Sequence, residues 1–340
     1  MKNKTLITIV GPTAIGKTAF SVELAKKYKT EIISADSRQF FKEMSIGTAK
    51  PTEEEMAGIP HHFVDFLPVD EFYTAGKFEN DVIAKLDELF ETHDTVVMTG
   101  GSGLYVNAVW SGIDEMPGDA EVRATLNEEL KEHGLRFLQQ KLKKLDYDHY
   151  RAMDKRNPQR VIRAIEVCLV SGKKYSDLRY KKPKERSFNI VKIGLKADRE
   201  LMYDRINQRV DIMVENGLVE EVKSLLPKRE LNSLNTVGYK ELFSHFDGDT
   251  TLEFAIEKIK QNTRNFAKRQ LTWFKKDEET KWFEIDELKK IRAYITKTVK
   301  PAKKATTEKA PASKSSAKKA PVKKTVAKKA PAKTVKKKKE

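Results

Sequence analysis

A phosphate-binding motif near the amino terminus constrains this chain more than any other feature. Its residues are Gly11, Pro12, Thr13, Ala14, Ile15, Gly16, Lys17 and Thr18, which satisfy every fixed position of the pattern G-x-x-x-x-G-K-[ST]. An apolar run at 6–10 predicts a buried strand before the motif, and the spacing of Phe20, Leu24 and Tyr28 predicts a helix after it. This order directs backbone N–H groups and a helix N-terminus at an anion. The motif therefore predicts a diphosphate or triphosphate site, with Lys17 on the terminal phosphates and the Thr18 hydroxyl on Mg²⁺.

Alternating strand and helix patterns follow the motif. Short apolar runs at 31–34 and 95–99 predict two further strands, and a four-residue apolar repeat over 78–90 predicts a helix before the second of them. The alternation predicts an α/β fold with a parallel sheet flanked by helices, similar to P-loop NTPases. Ligands bind such sheets at the carboxyl ends of the strands. We therefore expect Asp36 and the glycine-rich turn at 100–103 to lie beside the phosphate loop, and a helix to begin near Ser37.

The segment 113–187 has helical patterns that no strand pattern interrupts. One predicted helix stops at Gly134, a second lies around 138–145, and a third has Asn157 as its cap and Pro158 at its first position. A strand pattern returns at 189–195, and a long helix capped by Asp198 and further helices continue to about residue 294. We therefore expect a core of 1–112 and 188–296 that contains an all-helical insertion at 113–187.

The net charge of +16 is concentrated at the carboxyl terminus. Residues 297–340 contain 17 Lys and 2 Glu, so the preceding residues carry a net charge of only +1. This tail is poor in apolar residues and repeats AKKAP-like units, a composition that predicts disorder. We expect the tail to attract phosphates nonspecifically and this attraction to fade as salt is added.

Cysteine content and hydropathy indicate the compartment. Cys168 is the single cysteine of the sequence, so no intramolecular disulfide can form, which fits a reducing cytoplasm. No run approaches the roughly 18 apolar residues of a membrane helix, and the first strand follows the amino terminus without a signal-peptide pattern. His61 and His62 lack a cysteine or carboxylate at ligand spacing, so we expect no structural zinc. We expect a cytoplasmic, monomeric protein that does not bind membranes.

Asp36 follows the second predicted strand and begins the sequence DSRQ. A carboxylate at this position can accept a proton from an attacking nucleophile, or it can ligate Mg²⁺ beside the phosphates. It can also cap a following helix without any role in chemistry. The local sequence leaves all three roles open.

Two helical segments combine basic side chains in patterns that suit RNA. Gln159, Arg160 and Arg163 lie opposite the apolar arc of their predicted helix, where they can contact phosphates and base edges or form an ordinary solvated face. The stretch 264–275 mixes Arg and Lys with aromatic residues, including Trp273. That mixture suits an RNA backbone with an unstacked base, although an amphipathic helix with a core tryptophan produces the same pattern.

Arg205 and Arg209 are one helical turn apart after the returning strand. They can clamp phosphate oxygens through bidentate contacts, or they can form surface pairs with Asp204 or Asp211.

Six motifs occur in the order found in bacterial tRNA dimethylallyltransferases, which this chain resembles over about residues 5–285. They are GPTAIGKT, ISADSRQFFKEMSIGTAKP, TGGSGLY, NPQRVIRAIEV, LNTVGYKE and KRQLTWF. As a set they are far more specific than any single motif. The resemblance implies transfer of a dimethylallyl group from dimethylallyl diphosphate to N6 of the adenosine at position 37 of tRNA, just 3′ of the anticodon, with Mg²⁺ as the cofactor.

The resemblance also implies a role for each matching residue. The loop 11–18 holds the diphosphate rather than ATP, with Mg²⁺ at Thr18, and Asp36 is the general base for the N6 amine. Lys17 and Arg209, with Arg205 second, bind the diphosphate as it departs. The implied contacts to the tRNA anticodon stem-loop are Asp36, Ser37, Arg38, Gln39, Ser102, Arg123, Gln159, Arg160, Val161, Ile162, Arg163, Asn235, Gly238, Tyr239, Lys240, Lys268, Arg269, Gln270 and Trp273.

The sequence departs from the family pattern in three places. Ile15 replaces a small residue usual in the family's loop, Asn235 stands where a basic residue is common, and the tail is outside the family pattern.

Three other functions compete with this interpretation. They are a small-molecule kinase, prenyl transfer to free adenine nucleotides, and a nucleic-acid-binding protein without activity. The basic insertion helix disfavours the first two, and the intact phosphate loop with Asp36 disfavours the third.

Overall fold

The computed structural model describes residues 4–179 and 182–299, with a parallel β-sheet at its centre. The strands are β1 (Thr5–Val10), β2 (Ile32–Ser34), β3 (His61–His62), β4 (Thr95–Gly100), β5 (Asn189–Lys196) and β6 (Lys281–Glu284). Their spatial order is β3-β2-β4-β1-β5-β6, and every neighbouring pair is parallel. The predicted α/β fold is confirmed.

Thirteen α-helices surround the sheet in the described part of the chain. They are α1 (Lys17–Tyr28), α2 (Glu53–Met56), α3 (Ala75–Thr92), α4 (Gly103–Ser111), α5 (Ala120–Leu145), α6 (Tyr147–Ala152), α7 (Pro158–Ser171), α8 (Tyr175–Leu178), α9 (Arg199–Glu215), α10 (Leu218–Ser224), α11 (Tyr239–Phe246), α12 (Leu252–Phe274) and α13 (Leu288–Thr298). Short 3₁₀ turns at Leu226–Lys228 and Asn232–Leu234 connect α10 to α11. None of the described helices is both long and apolar enough to cross a membrane.

Strand β1 is buried on both faces because helices pack on each side of the sheet. Leu6 and Val10 belong to one apolar cluster, which includes residues of α3 and α4, and Ile7 and Ile9 belong to a second, which includes residues of α1 and α13. This is why the strand appears in the sequence as a continuous apolar run rather than an alternating one. Val10 lies opposite Gly100 of β4 and Gly194 of β5, so three strands end at the same edge. The phosphate loop and the 100–103 turn therefore leave the sheet side by side.

The described residues of 113–187 form helices α5 to α8 without a strand. Their apolar side chains build a separate cluster that includes Leu126, Leu138 and Ile165. Gly134 breaks α5 with φ 75° and ψ 174°, as its position in the sequence predicts. Asn157 caps α7 by accepting a hydrogen bond from the Arg160 N–H, and Pro158 occupies the first turn.

Three local predictions were wrong or incomplete. No helix begins at Ser37, because the N–H groups of Lys42, Phe66 and Leu67 bond between the 40–42 and 66–67 segments instead. The strands β3 and β6 were missed, since two and four residues are too short to show an apolar period. Helix α13 extends to Thr298, so the tail boundary predicted at 297 lies too early. The predicted disorder of the tail concerns residues beyond 299, which lie outside the described ranges.

Candidate active site

A cavity of about 920 Å³ opens at the carboxyl edge of the sheet. Three segments that follow strands line it: Thr13 of the phosphate loop, Asp36–Arg38 after β2, and Gly101–Tyr105 after β4. Helices α9 and α12 close the other side with Arg209, Arg269 and Gln270 among other residues. The predicted proximity of Asp36, the 100–103 turn and the phosphate loop is therefore confirmed.

The phosphate loop adopts the conformation that its glycines permit. Gly11 has φ 148°, and a Cβ at this position would lie 2.6 Å from the Leu195 carbonyl oxygen of β5. Gly16 has φ 97° and begins α1. Ile15 is buried in the cluster that contains Ile7 and Ile9, so this departure from the family pattern packs the core.

Lys17 lies over the loop, and its pKa is lower than is usual for a lysine. Its Nζ donates to the carbonyl oxygens of Gly11 at 3.1 Å and Pro12 at 2.7 Å. Burial, and secondarily the positive charge of Arg209, lower the pKa of Lys17 to about 7, although the Asp36 carboxylate opposes them. A bound diphosphate would restore the positive charge of this ammonium.

Thr18 provides the one loop hydroxyl expected to contact a metal. In the described ranges no cluster of three or more His, Cys, Asp or Glu residues could hold a metal ion. Mg²⁺ prefers hard oxygen ligands and is usually held by one or two protein groups together with phosphate oxygens and water. The half-buried Thr18, at the second position of α1, fits Mg²⁺ in that manner, with a diphosphate supplying further oxygens.

Asp36 is held by a local turn instead of capping a helix. Its Oδ1 accepts a hydrogen bond from the Arg38 N–H at 3.0 Å, and no helix follows. The Ser102 hydroxyl accepts from the Ser37 N–H at 2.9 Å, which joins this segment to the turn after β4. The helix-cap role is therefore excluded, and the carboxylate lines the cavity close enough to Lys17 and Arg209 to influence both pKa values.

Arg209 is directed at the phosphate loop, as the clamp interpretation requires. Its Nη1 lies 3.5 Å from the Thr13 hydroxyl, and burial lowers the pKa of the guanidinium while Glu55 and Asp36 oppose the shift. Arg205 lies beside Gly16, with Nη1 4.0 Å from the position of a Cβ there. Asp211, one of the two carboxylates considered as surface partners of this arginine pair, pairs instead with Lys260 at 2.8 Å.

Gln270 joins the phosphate loop to the turn after β4. Its Oε1 accepts from the Thr13 N–H at 2.9 Å, and its Nε2 donates to the Gly101 carbonyl at 3.0 Å. The side chain is buried, so the implied RNA contact is corrected to a structural connection inside the protein. Neighbouring Trp273 packs so closely on Gly103 that a Cβ would not fit.

We expect replacement of Gln270 by methionine to weaken binding of inorganic diphosphate by ~10-fold. The change removes two hydrogen bonds, one of them fully buried, worth about 1 kcal/mol each and loosens the Thr13 backbone, while side-chain volume is nearly unchanged. Isothermal titration calorimetry measures the effect. Gln139→Met is the matched control, because Gln139 donates to the Lys155 carbonyl at 2.9 Å in the insertion. Equal affinities for the two variants would contradict the assigned connection.

Three further residues of the implied RNA set are corrected by their burial, and a fourth, Gln39, makes contacts within the protein. Val161 and Ile162 are buried in the insertion cluster, where they cannot present side chains to RNA. Gln39 donates to the carbonyls of Thr48 and Ala49, and the fully buried Tyr239 donates its hydroxyl to Glu221. Amphipathic spacing predicts which face of a helix a residue occupies, but it does not predict which other part of the protein packs against that face.

The remaining members of the set lie in three places. Those that line the cavity are Asp36, Ser37, Arg38, Ser102, Asn235, Gly238, Lys240, Arg269 and Trp273. Gln159, Arg160 and Lys268 are exposed to solvent. Arg123 and Arg163 both bind the buried carboxylate of Glu166, at 2.7 Å and 2.9 Å, and line a second cleft of about 1630 Å³.

The second cleft lies between the insertion and the core. Arg179, Lys182 and Lys184 also line it, and Leu104 lines both this cleft and the cavity. The two spaces therefore meet at the start of α4. Five carboxylates also line this cleft, those of Glu79, Asp114, Glu115, Asp119 and Glu166, so its charge is mixed. Arg179 and Lys182 are exposed and suit contact with a phosphate backbone.

Sequence reasoning missed an upstream part of α12. Phe254, Lys258, Asn262 and Phe266 recur every four residues along it and all line the cavity. This period was visible in the sequence, but the predicted stretch began only at residue 264. The missed face extends the aromatic and basic surface by three helical turns.

Comparison with known proteins agrees with these features. The family model described as IPP transferase matches residues 39–277. A tRNA dimethylallyltransferase of Christiangramia forsetii is 57% identical over 283 residues, which cover 83% of this chain and 94% of that relative. The crystal structure of the full-length tRNA isopentenylpyrophosphate transferase from Bacillus halodurans is 39% identical, with a TM-score of 0.65 over 88% of this chain and 97% of that one.

A more distant structure shows the same fold. A eukaryotic dimethylallyltransferase acting on tRNA is 24% identical, with a TM-score of 0.72 over 89% of this chain and 81% of that one. The family model covers well over half of the sequence, and the bacterial relatives match at high identity over nearly their whole length. The chain therefore belongs to the IPP transferase family.

Proposed function

We propose that the protein transfers the dimethylallyl group of dimethylallyl diphosphate to N6 of the adenosine at position 37 of tRNA, just 3′ of the anticodon. The observation that carries the proposal is the placement of Asp36 in one cavity with Thr13, Arg209 and the Gly101–Tyr105 turn. A carboxylate, an anion-binding loop and an enclosed space for two reactants are what this transfer requires. The names of the relatives support the same reaction.

The diphosphate is bound by the loop 11–18 and by the cations beside it. Backbone N–H groups at the start of α1 surround the anion together with Lys17 and Arg209. Arg205, beside Gly16, provides a second guanidinium. Bound Mg²⁺ at Thr18 would neutralise charge on the leaving diphosphate. The apolar part of the cavity wall suits a five-carbon chain and includes Val210, Met213, Leu218, Val237 and Ile259.

Asp36 acts on the acceptor amine. As N6 forms a bond to C1 of the dimethylallyl group, the C1–O bond breaks and the diphosphate leaves with the electron pair. The N6 proton passes to the Asp36 carboxylate, which lowers the barrier because adenosine N6 is a poor nucleophile. The positive charges of Lys17, Arg209 and Arg205 stabilise the negative charge that develops on the leaving group.

The RNA is held by the second cleft and the exposed basic side chains. A base in an anticodon loop must leave its stack to reach Asp36, and Leu104 marks where the cleft meets the cavity. Arg160, Arg179 and Lys182 are available for the stem-loop phosphates. We further propose that the protein acts as a cytoplasmic monomer.

The function is tested by transfer of a labelled dimethylallyl group from its diphosphate to an anticodon stem-loop in the presence of Mg²⁺. We expect labelled RNA with the adenosine-37 stem-loop and none when that base is guanosine. Omission of Mg²⁺ should lower the rate. Labelling of free AMP in place of RNA, or phosphate release from ATP without RNA labelling, would refute the proposed function.

A further inference from the structure

The loop 45–49 contributes Gly47, Thr48 and Ala49 to the cavity wall, and one carboxylate binds three of its backbone N–H groups. Glu221 of α10 accepts hydrogen bonds from three consecutive backbone N–H groups, those of Ser45 at 2.9 Å, Ile46 at 2.7 Å and Gly47 at 3.0 Å. Consecutive N–H groups that converge in this way form an anion-binding concavity, which here holds an internal side chain. The next residues, Thr48 and Ala49, line the cavity with Gly47.

Tyr239 of α11 holds the same carboxylate from the other side. Its hydroxyl donates to Glu221 Oε1 at 2.6 Å, and the side chain is fully buried. Its ring lies so close to Gly47 that a Cβ there would approach the ring atoms to 2.7 Å. The loop is therefore bound by polar contacts to Glu221 and by direct packing on the Tyr239 ring.

A second set of contacts connects this loop to the Asp36 segment. Gln39 donates from Nε2 to the carbonyls of Thr48 at 3.2 Å and Ala49 at 2.9 Å. Gln39 is three residues after Asp36, and Asp36 itself is joined to Arg38 by the local turn. Displacement of the 45–49 loop would therefore move the support of the segment that carries the carboxylate.

We propose that Glu221 and Tyr239 are positioning residues that fix the 45–49 loop and, through Gln39, orient Asp36 for proton transfer. The phosphate loop has its own connection through Gln270 and does not depend on these contacts. The pair therefore acts on the transfer step and leaves diphosphate binding unchanged. The proposal rests on the proposed function of Asp36 as the general base.

Tyr239→Phe is the sharpest test, because it removes one hydroxyl and keeps the ring that packs on Gly47. We expect the single-turnover transfer rate to fall ~10-fold at saturating RNA, with the Kd for inorganic diphosphate within twofold of wild type. Glu221→Gln should lower the rate further, because an amide replaces one acceptor oxygen with a donor. Tyr73→Phe is the matched control, since Tyr73 is also buried and donates to the Asp81 carboxylate at 2.7 Å.

Hydrogen exchange of the Ser45, Ile46 and Gly47 amides gives a readout that does not require activity. We expect faster exchange at these three amides in Tyr239→Phe and unchanged exchange there in Tyr73→Phe. A transfer rate for Tyr239→Phe that equals that of Tyr73→Phe would overturn the positioning role, as would unchanged exchange. If the wild-type protein labels no RNA, the proposed function fails, and the exchange result still decides whether the pair holds the loop.

Discussion

Replacing Asp36 with asparagine should lower the rate of dimethylallyl transfer by ~10²- to 10⁴-fold, the usual contribution of a general base. Asparagine has nearly the same shape, and its Oδ1 can still accept from the Arg38 N–H, which is 3.0 Å from the carboxylate. The variant loses only the negative charge and the ability to take the N6 proton. Single-turnover labelling of the stem-loop at saturating substrates measures this loss.

Diphosphate affinity separates this chemical role from a general disturbance of the site. Removal of the Asp36 charge takes a negative charge away from the anion site, but it also lowers the pKa of both Lys17 and Arg209, which that charge raises. At a pH well below 7, where Lys17 keeps its proton, we therefore expect Asp36→Asn to bind inorganic diphosphate as tightly as wild type or more tightly. Asp154→Asn is the control, because Asp154 accepts from the Arg156 N–H at 3.1 Å in an equivalent turn. A transfer rate within tenfold of wild type would exclude Asp36 as the base.

Replacing Lys17 with methionine should weaken diphosphate binding by ~100-fold. A charge-assisted contact in an enclosed site contributes about 1.5–3 kcal/mol, and methionine retains the length of the stem without the ammonium. Isothermal titration calorimetry with inorganic diphosphate measures the loss. Lys26→Met, an exposed change on the same helix, should bind as wild type does.

The pH dependence of binding gives a second test of Lys17. Because the pKa of the free protein's Lys17 is lowered to about 7, the ammonium is charged below that pH and becomes neutral above it. The bound anion favours the charged form, so wild-type affinity should fall as pH rises above about 7 and binding should take up a proton near pH 8. The difference between wild type and Lys17→Met isolates this group, since titration of the ligand is common to both. Parallel pH profiles would contradict the assignment.

Local sequence patterns identified the elements that carry the site but not all of the sheet. The strands β1, β2, β4 and β5 were predicted because each is a buried apolar run beside a turn or helix signal. Strands β3 and β6 consist of two and four residues, and pairing with β2 and β5 makes them strands. The helix expected at Ser37 does not form for a related reason, because backbone groups of residues 39–42 bond to residues 65–67 instead of to one another.

The sequence by itself determined the phosphate loop, its strand and helix, the position of Asp36 after β2, and the concentration of positive charge beyond residue 297. These features follow from the order and spacing of residues that lie close together in the sequence. Only the tertiary structure decided which polar side chains bond within the protein: it engaged Gln270, Gln39 and Tyr239 in internal hydrogen bonds and directed Arg209 at Thr13. The physical reason is that a buried hydrogen bond depends on a partner distant in the chain, and no local period records where that partner lies.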